Sequence, residues 1–437
     1  MRTPRGPREA MTHRPATTGR PPGLRPIAGA GLALLLTVAP LSGLPVARAA
    51  APGPRDAPCA ASEPYRSGTS GYHTFRIPAA LQVPGGALLA FAEGRRNSAA
   101  DDGDIDLVLR RSFDGGCTWE PLQVVADAGA DTAGNPVPVI DPYSGDVVLL
   151  SCRTIAGATE GQIRTGAVAS STRRVYVQRS ADGGGHFSAQ EDITASVKPA
   201  DWRWYATGPG HAVALRSGPH RGRLLAPGNH SSARTGHDGA HSLLSDDGGR
   251  SWRVGYDTSA SGGMPTLNES TLAELPDGRV YISSRDHDSA TQGARADAYS
   301  ADGGGSLSVP FRPQPGIAGP AVEGSVFQVP GRRGEAPLLY SGPSDPKDRR
   351  GMQVRISEDD GASWRPWWTV SEDPAAYSDL VETASGAVGL LYETGPLTYH
   401  DTIRFVLVPD QAPSARSRSE AGHTYGRSSG TPGNSAP

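Results

Sequence analysis

Several arginines lie beside short strand-like runs, where a charged side chain is unusual. Arg76 lies in GYHTFRIPAAL, in which residues alternate as they do along a β-strand. Arg285 ends the run VYISSR, and Arg349 and Arg350 directly precede GMQVRIS. A guanidinium group binds a carboxylate through two parallel hydrogen bonds. Arginines drawn from three separate parts of the chain therefore predict a site that grips one carboxylate.

Acidic residues and one tyrosine occur in contexts that favour acid–base chemistry. The loop SAADDGDID carries Asp101 and Asp102, and Glu269 lies among hydroxyl and apolar residues in TLNESTLAEL. Glu393 ends the apolar run GLLYE, and Tyr377 lies in AAYSDL. Carboxylic acids and tyrosines can exchange protons with a reacting group that lies within hydrogen-bond reach. The sequence thus offers a proton donor and a base for the same site.

A repeated unit must position these side chains, and it is visible as the pattern S-x-D-x-G-x-x-W/F. Its five copies lie about 60 residues apart, as expected for a repeat architecture. Asp accepts backbone hydrogen bonds across a tight turn, and Gly supplies a positive φ. Strand-like runs flank the copies, so each is expected to be a structural hairpin turn. The copies begin at Ser112, Ser180, Ser245, Ser300 and Ser357, and only the fourth lacks the aromatic residue, with Leu307 in its place.

The repeat predicts an all-β fold, a six-bladed β-propeller of four-stranded antiparallel blades. Five turns and one blade without the motif would fill the roughly 360 residues between the two ends of the chain. Loops from several blades converge at the axial face of a propeller, which would bring the arginines and carboxyl groups together. The fold alone does not name the activity.

Both ends of the chain differ in composition from the repeat region. Residues 1–49 have a basic start, an apolar stretch from Ile27 to Leu44 and small residues near Ala49. This order predicts a secretory signal peptide and hence a secreted, extracellular protein. Glycines and prolines interrupt the apolar stretch, which favours export over a membrane anchor. Residues 50–410 form the predicted catalytic domain, and residues 411–437, nearly without apolar side chains, a disordered tail.

Charge and cysteine content narrow the possible partners. A net charge of −3 on 437 residues indicates no polyanionic partner, so nucleic acid binding is not expected. Cys59, Cys117 and Cys152 make an odd number, which allows one disulfide whose pairing stays open. The cysteines lack metal-ligand spacing. We expect a monomer that needs neither a metal nor a cofactor.

In these motifs the sequence resembles the sialidase (neuraminidase) family of glycoside hydrolases. The resemblance spans roughly Tyr65 to Pro409. It rests on FRIP, the five aspartate boxes, GNPVPVID, TGPGH, PGNH, NES, SSRD and LLYETG, in the order that family shows. It implies that Arg76, Arg285 and Arg349 grip the carboxylate of a sialic acid, while Glu393 holds Arg76. Arg350 remains the alternative to Arg349.

The resemblance also implies the catalytic residues. Tyr377 would be the nucleophile, Glu269 its base partner and Asp101 the acid/base, with Asp102 as the alternative to Asp101. Sialic acid carries its carboxylate on the anomeric carbon, so a neutral tyrosine avoids the repulsion that an attacking carboxylate would meet. Sialidases with a tyrosine nucleophile are exceptions to the two-carboxylate scheme.

The remaining candidates would surround the sugar. The resemblance places Arg95 at the 4-hydroxyl, Asn135 at the N-acyl pocket and Glu160 at the rim. The expected activity is that of an exo-α-sialidase, which removes terminal sialic acids from glycoproteins, glycolipids and oligosaccharides with retention of configuration.

Three alternatives stay open at this point. A trans-sialidase would share every residue named above, and the aromatic residues Trp202, Trp204 and Tyr205 could serve its acceptor side. A glycosidase for another nonulosonic acid is the second, because the N-acyl pocket is poorly constrained. A glycan-binding propeller without catalysis is the third.

Overall fold

The computed structural model describes residue 59 and residues 61–258, 266–288, 295–331 and 336–411. The chain divides into two units, Met1–Asp56 and Ala57–Pro437, and every described residue belongs to the second. The predicted signal peptide (1–49) lies outside the described residues, as does the predicted tail apart from residue 411.

Short strands dominate the described residues, which contain 25 of them and three short helical segments. No helix in the described ranges is long and apolar enough to cross a membrane. The helical segments are α1 (Glu160–Thr165), α2 (Thr194–Val197) and a 3₁₀ turn at Ser170–Thr172. The strands are β1 (Ser62–Arg66), β2 (Thr74–Gln82), β3 (Leu88–Arg95), β4 (Ile105–Ser112), β5 (Gln123–Ala126), β6 (Thr132–Ile140), β7 (Val147–Thr154), β8 (Arg173–Ser180), β9 (Glu191–Asp192), β10 (Trp202–Thr207), β11 (Val213–Ala214), β12 (Leu224–Ser232), β13 (Asp238–Ser245), β14 (Arg253–Asp257), β15 (Leu267–Glu274), β16 (Val280–Asp286), β17 (Arg295–Ser300), β18 (Val309–Pro313), β19 (Ser325–Gln328), β20 (Leu338–Pro343), β21 (Met352–Ser357), β22 (Arg365–Thr369), β23 (Ala375–Glu382), β24 (Val388–Thr394) and β25 (Thr402–Leu407).

The described strands pair into five sheets, almost entirely antiparallel. Four sheets have four or five strands, in the orders β1-β25-β24-β23, β10-β12-β13-β14 with β11 beside β12, β15-β16-β17-β18, and β19-β20-β21-β22. The fifth has eight strands in the order β2-β3-β4-β6-β7-β8-β9, with β5 beside β4. The all-β class is confirmed, but the prediction of six separate four-stranded blades is wrong. A parallel pairing at Ile105–Thr132 joins β4 to β6, so the first two repeats share one sheet, which repeat spacing cannot reveal.

The five aspartate boxes form the hairpin turns that the sequence predicted. In the first box the Ser112 hydroxyl accepts a hydrogen bond from Gly116 N at 2.8 Å, and the Asp114 carboxylate accepts one from Thr118 N at 2.9 Å. The other four boxes repeat the serine contact. The residue at the aromatic position then packs against an apolar cluster; these residues are Trp119, Phe187, Trp252, Leu307 and Trp364.

Antiparallel pairing decides which loops meet at each end of the sheets. The start of a first strand, the end of the second and the start of the third lie at one end. Arg76 lies at the start of β2, Arg285 at the end of β16 and Arg349 just before β21. Each aspartate box begins at the end of the third main strand of its repeat, and that strand runs away from this end of the sheet. The boxes therefore lie at the opposite end. The predicted site residues therefore gather on one face, away from the boxes.

The first and last strands of the described region close the arrangement. β1 pairs with β25 through Ser62↔Phe405 and Tyr65↔Ile403, so the N-terminal strand completes the C-terminal sheet. An apolar cluster containing Tyr65, Phe75 and Phe405 packs this sheet against β2. Residues near the two ends of the described region thus become neighbours.

Candidate active site

Irregular pairing near the start of several strands directs the site side chains. A β-bulge bends its strand and re-aims the side chains within it. Two bulge residues have left-handed backbone angles, Ile77 with φ 58 and Asn135 with φ 55. Register shifts occur in β2 between Arg76 and Ala79, in β6 between Gly134 and Val137, in β10 between Trp202 and Tyr205, in β15 between Leu267 and Ser270, and in β23 between Ala375 and Ser378.

A polar cavity of about 600 Å³ lies at this face. Every predicted site residue except Glu393 lines it; these are Arg76, Arg95, Asp101, Asn135, Glu160, Glu269, Arg285, Arg349 and Tyr377. Glu393 is fully buried behind the cavity wall. The volume is in the range of small-molecule sites.

Glu393 binds Arg76 from behind. Its carboxylate accepts hydrogen bonds from Arg76 Nε and Nη2, both at 3.0 Å. It also accepts from the backbone N–H of Ile77 at 2.8 Å and of Tyr377 at 3.2 Å. Burial opposes the charge of Arg76, but Glu393, with smaller contributions from Tyr377 and Asp101, outweighs this effect and raises the pKa of Arg76. One carboxylate therefore holds two bulges together and keeps the guanidinium charged.

Tyr377, Glu269 and Arg285 form a hydrogen-bonded chain on the cavity floor. The Tyr377 hydroxyl donates to Glu269 Oε1 at 2.5 Å, and Arg285 Nη1 donates to Glu269 Oε2 at 2.9 Å. Burial and the charge of Glu269 raise the pKa of Tyr377 well above its usual value, against the opposing arginines. The phenol is thus protonated in the free site, and its nearest proton acceptor is Glu269.

The adjacent arginines 349 and 350 point to different places. Arg349 lines the cavity, with its guanidinium 5.8 Å from the Tyr377 ring centre. Arg350 instead donates to the Glu372 carbonyl at 3.2 Å. Tyr399, which sequence reasoning missed, lies 5.5 Å from the Arg76 guanidinium and 5.6 Å from that of Arg349. Its ring therefore supports two of the arginines through cation–π contacts.

Asp101 lies at the mouth of the cavity with its side chain 83% exposed. Its Oδ1 is 2.8 Å from Arg95 Nη2 and 3.8 Å from Arg76 Nη1. Partial desolvation opposes ionisation, but Arg95 and Arg76 outweigh it and lower the pKa of Asp101. Asp102 also borders the cavity, but Asp101 makes the contacts with the arginines.

Glu93 organises the wall beside Asp101, and sequence reasoning missed it. Its Oε2 accepts from Arg95 Nε at 3.2 Å and Nη2 at 2.7 Å, and its Oε1 accepts from Asn135 N at 2.9 Å. A Cβ at position 134 would collide with Oε1, so Gly134 is needed there. The sequence feature that could have pointed to Glu93 is an acidic residue within the mostly apolar run LLAFAEGR, which forms a buried strand.

Arg173 forms the polar end of the cavity and was also missed. It is 3% exposed, and its nitrogens donate to Tyr205 O at 2.7 Å, Thr154 Oγ1 at 2.7 Å and Asn135 Oδ1 at 2.6 Å. The guanidinium lies 4.2 Å from the Trp204 ring centre. The only sequence signal was an arginine at the start of RRVYV.

The predicted acceptor-side aromatics separate in the structure. Trp202 is buried and stacks on His230 at 3.5 Å, and Tyr205 is also buried. Trp204 borders the cavity but lies against Arg173. The cluster WRWY therefore contributes one residue to the site rather than an aromatic platform.

Glu160 stands on the rim in the first turn of α1. Thr159 caps this helix, with its hydroxyl accepting from Gln162 N at 3.3 Å. Arg164 pairs with Glu160 at 3.2 Å. Burial is the main cause of a raised pKa of Glu160, which Arg164 and His287 oppose.

The described residues contain no group of three or more His, Cys, Asp or Glu side chains arranged to hold a metal ion. Cys59 and Cys117 form a disulfide, and Cys152 is buried with a free thiol. The expectation that no metal or cofactor is needed stays a prediction.

Residues 86–390 match the family described as BNR repeat-like domain. The chain is 31% identical over 361 residues to an exo-alpha-sialidase of Aspergillus fumigatus, a match that covers 74% of this chain and 79% of that protein. It is 33% identical over 344 residues to a sialidase of Micromonospora viridifaciens, which covers 75% of this chain and 51% of that protein. This chain thus spans about half the length of the bacterial relative.

Solved structures with the same fold include the Hadza microbial sialidase Hz136, with a TM-score of 0.67 at 24% identity, covering 80% of this chain and 68% of that one. The intramolecular trans-sialidase of Ruminococcus gnavus aligns with a TM-score of 0.65 at 18% identity, covering 80% of this chain and 97% of that one. At these identities the likeness establishes the fold.

Proposed function

This chain belongs to the sialidase family, and from that premise we propose that it is an exo-α-sialidase that hydrolyses terminal α-ketosidically linked sialic acids with retention of configuration. The observation that carries the proposal is the contact of the Tyr377 hydroxyl with Glu269 at 2.5 Å, in a cavity that also contains arginines from three parts of the chain. The substrates are sialylated glycans of glycoproteins, glycolipids and oligosaccharides.

The carboxylate of the sugar is bound by Arg76, Arg285 and Arg349. Arg76 is bound from behind by Glu393 through Nε and Nη2, which leaves Nη1 directed toward the cavity side where Asp101 lies. Guanidinium groups suit this task because they are always charged and present paired donors. Arginines from separate sheets approach one carboxylate from different directions and so fix the sugar ring.

Tyr377 attacks the anomeric carbon while Glu269 accepts its proton. The raised pKa of Tyr377 means that a free phenolate is not present beforehand, so proton transfer accompanies attack. The three arginines stabilise the negative charge that develops on the phenol oxygen. A neutral nucleophile also meets less repulsion from the sugar carboxylate than an aspartate or glutamate would.

Asp101 protonates the glycosidic oxygen as the bond to the anomeric carbon breaks. It then removes a proton from the water that attacks the tyrosyl–sugar intermediate, and the proton on Glu269 returns to Tyr377 as that bond breaks. Two displacements at one carbon retain its configuration. Arg95 and Asn135 contact the sugar substituents, and Glu160 borders the entrance.

The test is release of fluorophore from an α-ketoside of N-acetylneuraminic acid by the wild type and by Tyr377→Phe. We expect loss of at least about 100-fold in kcat for the variant, because the covalent route is removed. Tyr399→Phe, which keeps the ring beside Arg76 and Arg349, is the matched control and should stay within about threefold. Near-normal turnover by a folded Tyr377→Phe protein would contradict the assigned nucleophile.

A second candidate substrate is a deaminated nonulosonic acid, which carries a hydroxyl where sialic acid carries its N-acyl group. The observation that favours it is Arg173, a buried cation without a carboxylate partner among its described hydrogen bonds, directly beside Asn135. Arginine has N–H donors and no acceptor, so Arg173 can donate to a hydroxyl oxygen at this position. The ratio of kcat/KM for the 5-hydroxy and 5-acetamido ketosides tests it, and a ratio below one would reject it.

We also propose that the protein is secreted and acts as a monomer. The Cys59–Cys117 disulfide supports export, since disulfides persist in oxidising compartments. Detection of the mature chain in culture medium, and its mass by light scattering, would test these two points.

A further inference from the structure

One buried carboxyl group beneath the nucleophile has no part in the chemistry above. Glu323 lies just before β19 and is 2% exposed. The preceding residue, Val322, packs in one apolar cluster with Ala376 and Tyr377. Glu323 Oε2 accepts a hydrogen bond from Ser378 N at 3.0 Å. Ser378 directly follows Tyr377, so this carboxyl group holds the bulge from which the phenol projects.

The other oxygen of Glu323 is in a different situation. Oε1 is buried and has no hydrogen-bond partner within the described ranges. It borders Gly210, as does Oδ1 of Asp379. This Asp379 oxygen accepts hydrogen bonds from His211 Nδ1 at 2.6 Å and from Ser325 Oγ at 2.9 Å. An ionised Glu323 would leave a desolvated charge on Oε1 beside a second carboxylate. An uncharged acid avoids that situation and can direct its proton from Oε1 toward this carboxylate.

Burial and the neighbouring carboxylates outweigh the groups that favour a charged Glu323. Burial is the main cause that raises its pKa well above the usual value, and Asp379 and Glu269 add to this effect. The Ser378 N–H and Arg295 oppose it but do not outweigh it. Tyr340, which also faces it, is uncharged because burial raises its own pKa. His211 lies on the far side of Asp379 and pairs with that carboxylate, which raises the pKa of His211 against the effect of burial.

We propose that Glu323 is a positioning residue of the sialidase reaction, an uncharged acid that fixes the bulge aiming Tyr377 at the anomeric carbon. The inference rests on the proposed function. Glu323 does not line the cavity, so it acts through Ser378 and Tyr377 rather than on the substrate. Its ionisation would leave a desolvated charge on Oε1 beside the Asp379 carboxylate, and repulsion between the two groups would displace Glu323 and the bulge that it holds.

The test compares Glu323→Gln and Glu323→Ala with the wild type in kcat, KM and thermal unfolding. Glutamine keeps the acceptor without the charge, so we expect kcat within about threefold and KM unchanged. Alanine removes the acceptor, so we expect kcat to fall at least about tenfold with KM within about twofold, since small misplacements of reacting groups cost that much. Glu274→Ala is the matched control: Glu274 is also buried and accepts a hydrogen bond from Ser217 N at the far end of β15, so its loss should lower Tm but not kcat.

Two further readouts decide between positioning and simple stability. Above the fall of kcat that Asp101 sets, a second fall at higher pH should occur in the wild type and be absent in Glu323→Gln, and identical profiles would overturn the role of the neutral acid. In crystal structures the Tyr377–Glu269 contact should lengthen in Glu323→Ala but not in Glu323→Gln; an unchanged contact, or an alanine variant with wild-type kcat, would overturn the inference. A wild type that cleaves no ketoside would refute the proposed function, while the crystal structures would still decide the role of Glu323.

Discussion

Substrate binding should cause Asp101 to take up a proton. In the free site its Oδ1 lies 2.8 Å from Arg95 Nη2 and 3.8 Å from Arg76 Nη1, and its pKa is low. A bound substrate carboxylate would neutralise Arg76 and add negative charge beside Asp101. A charge at this range shifts a pKa by about 1–3 units, and because the side chain is 83% exposed we expect the low end, about 1 unit upward.

The direction in which the rate changes with pH follows from the role of Asp101, which acts in its protonated form. The pH dependence of kcat/KM reports the free site and that of kcat reports the complex. As pH rises, kcat/KM should therefore fall first, and kcat should fall about 1 pH unit later. Midway between the two pKa values, ligand binding should take up about half a proton.

Two assays measure this shift. Turnover of a fluorogenic ketoside over about pH 2 to 7 gives both profiles. Calorimetric titration with a 2,3-unsaturated sialic acid analogue, in two buffers of different ionisation enthalpy, gives the proton uptake directly. Asp102→Asn, which removes the neighbouring carboxylate, should preserve the uptake, whereas Asp101→Asn should abolish it. Coincident profiles, or the same uptake without the Asp101 carboxylate, would refute the reasoning.

Two further perturbations test the arginine assignment and the disulfide. Arg349→Ala should raise KM about 10- to 100-fold, because hydrogen bonds to a charged group contribute about 1.5–3 kcal/mol, while Arg350→Ala should stay within about twofold; equal effects in steady-state kinetics would reject the choice of Arg349. Cys117→Ser should lower the free energy of unfolding by about 4 kcal/mol, since its bond to Cys59 closes a loop over a sequence separation of 58 residues. Denaturant titration of the oxidised wild type and the variant measures this difference, and equal midpoints would contradict it.

Residues with a local signal could be predicted from the sequence. The aspartate boxes are turns whose hydrogen bonds connect residues four apart, such as Ser112 and Gly116. The residues of the sequence pattern therefore make the hydrogen bonds that form the turn. Arg76 was recognisable because an arginine two residues before a proline is unusual within a strand. The choice of Arg349 over Arg350 also agrees with where the two side chains lie, since only the former lines the cavity.

Other features depend on contacts between distant parts of the chain. Glu323 and Arg173 sit in ordinary strand-flanking sequence, and only folding shows that one lies behind Tyr377 and the other beside Asn135. The prediction of six separate blades was wrong for a similar reason, since a single parallel bridge between two repeats does not change their spacing in the sequence. Sequence periodicity describes each repeat but not the junctions between them.

The contact between Arg76 and Glu393 also has a consequence for the timing of biosynthesis. The two residues are 317 positions apart, and the sheet that contains Glu393 is completed by β1 from the other end of the described region. A ribosome must therefore synthesise and release the chain beyond β24 before the guanidinium meets its carboxylate. A nascent or prematurely terminated chain that lacks β24 cannot assemble the carboxylate clamp, so hydrolytic activity reports that synthesis has passed this strand.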